Sequence, residues 1–187
     1  NPSNAGAADS DIAYYCAYNL PGVAQAVSAK RWPELAEAFR TLATNVQWRV
    51  RRTLSCAMHE LAAILGPELS ETELLPSFDY FLKDIDEVRV GVIQHVSAFL
   101  SRLPPGARAS YLDVLHEVRS ETDSWRFRKM LAEQLAHLGA ILPVDVATPG
   151  LLALAIDLCA DSVAEVRAVA AAHTGELVRA LAAADGA

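Results

Sequence analysis

Trp48-Arg49-Val50-Arg51 is the first of four copies of the short pattern that decides the fold of this chain. The other copies are Asp86-Glu87-Val88-Arg89, Trp125-Arg126-Phe127-Arg128 and Ala164-Glu165-Val166-Arg167. The last arginine of the pattern recurs about every 39 residues. A fixed period of this length indicates a repeat architecture, in which each copy belongs to one structural unit.

Large apolar residues follow each copy in the same phase. Eleven residues after the Val or Phe of each copy stand Leu61, Phe99, Leu138 and Leu177, and fifteen residues after it stand Leu65, Leu103, Leu142 and Leu181. These steps keep to one face of an α-helix, so each copy opens a helix of about four to five turns. Glycine and proline then interrupt three of the four helices at Gly66-Pro67, Pro104-Pro105-Gly106 and Pro143.

A shorter apolar segment precedes each copy, at residues 35–43, 74–82, 111–118 and 151–159. Ser70 with Glu73 is typical of a capping box, and Pro149 suits the first turn of a helix. Each repeat is therefore predicted to be two antiparallel helices, with no strand. A period near 39 favours the HEAT type over tetratricopeptide or ankyrin repeats. The predicted fold is an all-α solenoid with a right-handed superhelix.

The predicted organisation is a single solenoid fragment with a tail. Residues 1–11 are expected to form a disordered tail and residues 12–32 the end of an upstream repeat. Four repeats follow, at 33–66, 67–104, 105–143 and 144–187. The absence of an initiator methionine leads us to expect an internal fragment of a longer protein.

Composition excludes several classes of protein. The 187 residues are 52% hydrophobic, which is incompatible with a disordered chain, and the net charge of -7 argues against nucleic-acid binding. No apolar stretch approaches the roughly 18 residues of a membrane span. Cys16, Cys56 and Cys159 have neither disulfide nor metal-site spacing, so we expect a reducing compartment, the cytoplasm or the nucleus.

Catalytic and metal-binding patterns are incomplete in this sequence. His59-Glu60 and His116-Glu117 begin like a zinc-protease motif, but Ala63 and Ser120 stand where the second histidine is needed. Nucleophile elbows, phosphate-binding glycine loops and dinucleotide fingerprints are missing. We therefore expect a protein that is not an enzyme and has no cofactor and no metal site.

The repeated arginines are expected to pair with acidic residues of the turns. A cation in the first turn of a helix opposes the helix dipole and favours a nearby carboxylate. The arginines are Arg51, Arg89, Arg128 and Arg167, and the turn residues before them are Asn45, Asp84, Asp123 and Asp161. We predict a structural Arg/Asp ladder along the stacked repeats, with Asn45 offering only a neutral amide. The alternative is that the arginines form a track for an anion or phosphopeptide.

The turn between the two helices of a pair is the expected partner-binding region. Trp48 and Trp125 occupy the same repeat position, where the other copies carry Asp86 and Ala164. A position that accepts such different side chains is expected to be exposed, and an exposed tryptophan is typical of an interface anchor. Partner contacts are predicted at Trp48, Asp86, Glu87, Trp125, Asp161 and Glu165. The alternative is that each tryptophan packs only on its own turn.

Tyr14, Tyr15 and Tyr18 share one helix face. They are predicted to pack in the upstream repeat, because three aromatic residues at helical spacing are more typical of a buried face than of a cofactor site.

Several stretches resemble the protein phosphatase 4 regulatory subunit 1 family. They include residues 45–54, Ala17 to Ala24, Phe81 to Val92, Trp125 to Arg128 and Leu158 to Asp161. The likeness spans residues 12–167, whereas the alanine-rich residues 168–173 depart from it. The resemblance implies a HEAT-repeat regulatory subunit that binds the catalytic subunit of a Ser/Thr phosphatase and helps choose its substrate proteins. By similarity to the phosphatase 2A scaffold, it also implies that Trp48 contacts the catalytic subunit.

Two other functions stay open at this stage. A HEAT-repeat adaptor for another protein, such as a transport receptor, has the same repeat pattern. A HEAT-like DNA alkyl-base glycosylase would need a basic groove, which an acidic chain with arginines opposite aspartates does not favour.

Overall fold

The structure, a computed structural model, describes residues 2–121 and 124–185. These residues are helical almost throughout and include no β-strand, which confirms the all-α prediction. The helices pack into two compact units, Asn1–His95 and Val96–Ala187. Each unit is built from helices that fold back on their neighbours through short turns.

The first unit begins with a long helix. It contains, in order, α1 (Pro2–Val27), a 3₁₀ helix (Ala29–Glu34), α2 (Ala36–Ala43), α3 (Trp48–Leu65), α4 (Pro67–Leu69), a π-helical segment (Ser70–Leu74), α5 (Leu75–Leu82) and α6 (Asp86–Ile93). Helix α3 packs against both α1 and α6, so it is the centre of this unit.

The second unit consists of six helices in the part of the chain that the structure describes. Its elements are α7 (Val96–Leu100), α8 (Pro105–Ala109), α9 (Tyr111–Glu121), α10 (Trp125–Ile141), α11 (Val144–Cys159) and α12 (Ala164–Asp185). The pair α10 and α12 forms its most extensive helix packing.

The repeated pattern marks the start of four helices. Helices α3, α6, α10 and α12 begin at its first residue in each copy. The apolar third residue of every copy is at most 1% exposed: Val50, Val88, Phe127 and Val166. The third residue thus packs in the core, two positions after the helix begins. The first residue of each copy stands at the start of the helix, next to the turn, and is partly or fully exposed.

One of these helices is shorter than predicted. Helix α6 ends at Ile93, and residues 94–95 form a turn before α7 begins at Val96. The sequence predicted one continuous helix here. Gly91 and the β-branched residues around it have low helix propensity, and the backbone at His95 bonds to Val92 in the tighter three-residue pattern.

Two predicted helix starts are wrong. Ser70 is not an N-cap: it is fully buried, and its hydroxyl donates to the Ala62 carbonyl at 3.3 Å. The helical segment begins earlier, at Pro67, directly after Gly66 with its positive φ of 82°. Pro149 lies inside α11, which begins directly after Pro143 and tolerates the one backbone hydrogen bond that Pro149 lacks.

Residues 2–11, for which composition predicts a tail, form the first part of α1. Alanines at positions 5, 7 and 8 have the highest helix propensity of any residue and favour this extension.

Large apolar side chains fill the interior of both units. Fully buried examples are Trp32, Phe39, Leu54, Leu61, Phe78 and Phe81 in the first unit and Phe99 and Phe127 in the second. Within residues 2–121 and 124–185, every helix is too short or too polar to be a membrane span.

Candidate partner-binding turns

Trp48 opens α3 at the turn that joins α2 to α3. Its side chain is 38% exposed, and the guanidinium carbon of Arg49 lies 5.6 Å from its ring centroid. The turn is held by Asn45, whose side-chain oxygen accepts a hydrogen bond from the Gln47 backbone N–H at 2.9 Å. Trp48 therefore presents part of an aromatic surface on a turn with fixed geometry.

Trp125 has the equivalent place at the start of α10. It is partly exposed, and the Arg126 guanidinium lies 5.1 Å from its ring centroid. The two tryptophan turns thus share a cation on the aromatic ring, each in its own unit.

The acidic members of the predicted set stand in first turns of helices. Asp86 and Glu87 open α6, and Glu165 is the second residue of α12. All three are exposed. A carboxylate in this position is favoured by the helix dipole, so these charges are stable at the surface without a partner protein. Glu165 also pairs with Lys129 at 3.0 Å.

Arg51 connects two successive turns of the first unit. Its Nε and Nη2 donate to the two oxygens of Asp84 at 2.6 and 2.8 Å. Its Nη1 donates to the backbone carbonyls of Asn45 and Val46 at 2.7 and 3.2 Å. One guanidinium therefore ties its own turn to the turn of the following helix pair, and both side chains of the ion pair are largely buried.

Arg128 and Asp161 repeat this arrangement in the second unit. Arg128 donates to both Asp161 oxygens, from Nε at 2.5 Å and from Nη2 at 3.1 Å. Asp161 is 8% exposed, and its Oδ1 also accepts from the Val163 backbone N–H at 2.8 Å. Its predicted role in partner contact is therefore corrected: a buried carboxylate that is already bonded on both oxygens offers a partner no free surface.

The fourth repeated arginine, Arg167, makes the same backbone contacts as Arg51. Arg167 donates from Nη1 to the carbonyls of Asp161 and Ser162 at 2.6 and 2.9 Å. Arg89 lies in the first turn of α6. Its predicted neighbour Asp123 lies outside the described residues.

The ion pairs change the ionisation of both buried carboxylates. The hydrogen bonds from Arg51 lower the pKa of Asp84 below its usual range. The hydrogen bonds from Arg128 do the same for the pKa of Asp161. In each case partial burial opposes the change and is outweighed. Both carboxylates are therefore charged wherever the protein is folded near neutral pH.

A small cluster of histidine, glutamine and cysteine lies between α3 and the end of α6. The His59 and His95 rings stack at 4.0 Å, and the side-chain nitrogen of Gln94 lies 3.0 Å from His95 Nε2. Burial, and then the nearby His59, lower the pKa of His95. Burial raises the pKa of the Cys56 thiol. No group of three potential metal ligands occurs within residues 2–121 and 124–185.

Sequence reasoning missed a groove between α1 and α3. Tyr14, Tyr15 and Tyr18 were predicted to pack in a core, yet they are 39%, 61% and 66% exposed. Tyr14 and Tyr18 line a cavity of about 460 Å³ together with Arg52. Helical spacing identified the shared face of the tyrosines, but only packing of α1 beside α3 shows what that face borders.

Comparison with known proteins identifies the family of this chain. Residues 16–118 match the family model described as the protein phosphatase 4 regulatory subunit 1 middle domain. Serine/threonine-protein phosphatase 4 regulatory subunit 1 of Homo sapiens is 44% identical over 183 residues, and that of Mus musculus gives the same values. The match covers 97% of this chain but 19% of each relative. The chain therefore belongs to the protein phosphatase 4 regulatory subunit 1 family.

Proposed function

We propose that this chain is part of a non-catalytic regulatory subunit that binds the catalytic subunit of a phosphatase 4 type Ser/Thr phosphatase and helps direct it to substrate proteins. The relatives at 44% identity are named as regulatory subunits of this phosphatase. The exposed turns at the start of the second helices are the proposed contact surface.

The observation that carries this proposal is the position of Trp48. Trp32, the other tryptophan of the first unit, is 1% exposed, whereas Trp48 is 38% exposed at a rigid turn and lines one cavity with the exposed Tyr14 and Tyr15. A partly exposed tryptophan on a fixed backbone loses little conformational entropy when a partner covers it, which makes it a good anchor. Trp125 offers the same feature in the second unit.

Acidic residues of equivalent turns support the same surface. Asp86 and Glu87 flank the start of α6, and Glu165 the start of α12, all exposed. Such charges attract a basic patch on a partner and chiefly raise the association rate. Added salt screens this attraction, so the association rate is expected to fall as salt concentration rises. The proposed partner contacts are therefore Trp48, Asp86 and Glu87 in the first unit, and Trp125 and Glu165 in the second unit.

The test is a binding measurement with the Trp48→Ala variant of the 187-residue chain. Truncation of an interface tryptophan costs about 2 kcal/mol or more, which is roughly thirty-fold in affinity. We expect this loss for the phosphatase 4 catalytic subunit in biolayer interferometry, with a melting temperature within a few degrees of the parent. The catalytic subunits of phosphatases 2A and 6, measured alongside, report selectivity.

Val178→Ala is the matched control, because Val178 is 50% exposed but lies in α12 about three to four turns after Glu165, away from the start of the helix. It is expected to bind like the parent. If Trp48→Ala binds normally but loses much of its stability, Trp48 is a packing residue and the proposed surface lacks its anchor. Failure of the parent chain to bind any of the three catalytic subunits would contradict the proposal itself.

A further inference from the structure

Two cavities join into one groove along the contact of α1 with α3. The first, of about 460 Å³, extends to Glu60, and the second, of about 410 Å³, reaches Trp48. They share Tyr14 and Arg52. The groove lies within the first unit, and its walls are an aromatic face of α1 and a charged face of α3.

The two arginines of this groove have no acidic partner among the described residues. Arg49 and Arg52 are exposed and form no ion pair with any residue in the described ranges. Arg49 lies over the Trp48 ring, which orients its guanidinium without neutralising it. Two unpaired guanidiniums about one helical turn apart, one of them held over a ring, are donors for an anionic group.

In the second unit, the cation at the position equivalent to Arg52 is paired with a carboxylate. Lys129 stands four residues after Trp125, as Arg52 does after Trp48, and it pairs with Glu165 at 3.0 Å. In the first unit the acid equivalent to Glu165 is Glu87, but Glu87 forms no ion pair with Arg52. The charge of Arg52 is therefore available to a ligand.

The two ends of the groove differ in charge. Arg49 and Arg52 face Asp11 at the Trp48 end, leaving one net positive charge there. Glu60, exposed and without an ion pair in the described part of the chain, stands at the other end. Between them lie the rings of Tyr14 and Tyr18, whose hydroxyls make no hydrogen bond with described residues.

We propose that this groove binds an extended segment of a partner protein that carries one acidic and one basic residue, with a Glu or Asp carboxylate at Arg49 and Arg52 and a Lys or Arg at Glu60. This site goes beyond the proposed function and does not depend on it. Glu60 stands eleven positions after Arg49 in α3. This is a rise of about 16 Å along the helix, which an extended peptide covers in about five residues. An apolar residue between the two charges packs on the tyrosine rings.

Charge balance favours a carboxylate over a phosphate. The Trp48 end carries one net positive charge, because Asp11 offsets one of the two arginines. A carboxylate matches this charge, whereas a phosphate of nearly two negative charges is repelled by Asp11.

The experiment is selection of a phage-displayed library of random decapeptides on the full 187-residue chain. We expect enrichment of peptides with an acidic and a basic residue about five positions apart and an apolar residue between them. A fluorescent copy of the consensus peptide then gives dissociation constants by fluorescence polarisation. We expect Arg52→Glu to weaken binding at least tenfold, and Glu60→Lys to do the same unless the basic residue of the peptide is changed to Glu.

Arg126→Glu is the matched control, because Arg126 also lies over a tryptophan in the first turn of a helix. It is expected to leave peptide binding unchanged, and thermal melts check that every variant is folded. Should Arg52→Glu fail to fold, Arg52→Gln replaces it with an expected loss of at least threefold. Because Trp48 also lines this groove, the variant that separates the site from the proposed turns is Glu60→Lys at the other end, for which capture of the phosphatase 4 catalytic subunit is expected to be normal.

Three outcomes would overturn the proposal. The first is a library with no enriched acidic residue, and the second is a consensus peptide that binds folded Arg52 variants like the parent. The third is a phosphoserine peptide, with phosphoserine in place of the acidic residue, that binds more than tenfold tighter than the carboxylate form.

Discussion

Arg51 uses one side chain for two purposes, and Arg128 repeats the first of them. The Nε and Nη2 atoms of each bind the aspartate of the next turn, while Nη1 of Arg51 binds the carbonyls of its own turn. A guanidinium suits this task because its donors diverge in one rigid plane, whereas a lysine ammonium lacks the bidentate geometry. The separation of 33 residues between partners is the same in both pairs.

We predict that Arg51→Ala and Arg128→Ala each lower the free energy of unfolding by about 1 to 3 kcal/mol, because a largely buried carboxylate loses its donors. Thermal and urea unfolding measure the loss. Arg102→Ala, an exposed arginine with no ion pair in the described ranges, is expected to unfold like the parent. If both variants were as stable as the parent but failed to bind a partner or a phosphopeptide, the arginines would form a binding track instead of a structural ladder.

The acid dependence of stability follows from the same two pairs. Because folding lowers the pKa of Asp84 and of Asp161, the unfolded chain binds protons more readily than the folded chain as pH falls. Their contribution is therefore complete above the unfolded pKa of about 3.8 and is lost as pH falls through the lower folded values. We expect urea unfolding between pH 5 and pH 2 to show a smaller loss of stability in Arg51→Ala than in the parent. Equal slopes would mean that Arg51 does not set the ionisation of Asp84.

Helices α3 and α6 approach each other closely at Gly91. A Cβ atom there would lie 2.1 Å from Ser55 Oγ and 2.7 Å from the Cys56 backbone nitrogen. The Ser55 hydroxyl also donates to the Val88 carbonyl at 2.9 Å, which fixes the two helices side by side. Small residues at this crossing therefore bring the two backbones together.

We predict that Gly91→Ala destabilises the chain by about 1 to 3 kcal/mol, despite the better helix propensity of alanine, because the backbone near Cys56 has to move. Gly175→Ala is the matched control, since Gly175 lies within α12 and a Cβ there meets nothing within 4 Å. It is expected to gain roughly 0.5 to 1 kcal/mol. Urea unfolding compares the two, and a stabilised Gly91→Ala would show that the α3 to α6 contact relaxes without cost.

The sequence was most informative where one pattern recurs. The starts of α3, α6, α10 and α12 follow from the repeat, because each places a buried Val or Phe two residues later. Local sequence signals that occur only once predicted the structure less well. Ser70 resembles an N-cap, yet its side chain is buried and its hydroxyl donates to the Ala62 carbonyl. The groove beside Arg52 was not predictable, since it depends on the packing of α1 against α3, which no repeat position encodes.

At the scale of the whole chain, side-chain contacts connect residues about one repeat apart. Besides the two Arg–Asp pairs, Ser55 bonds to Val88 and His116 lies 3.1 Å from the Gly150 carbonyl, at separations of 33 and 34 residues. The side chain of Ser97 bonds to that of Gln134 in the same way. A chain whose contacts reach only the neighbouring repeat has stability that adds up repeat by repeat.

We therefore predict that a chain ending at Leu142 keeps the helical content per residue of the parent but unfolds at lower urea concentration. The deletion removes α11 and α12, so α10 loses its packing against α12 and Arg128 loses Asp161. The upstream helices keep their own neighbours, including α3 between α1 and α6. Circular dichroism measures the helicity, and urea unfolding followed at 222 nm measures the stability. A globular domain with one shared core would lose most of its helix on such a deletion, so collapse of the truncated chain to a largely unfolded state would contradict a fold in which each repeat depends only on the next.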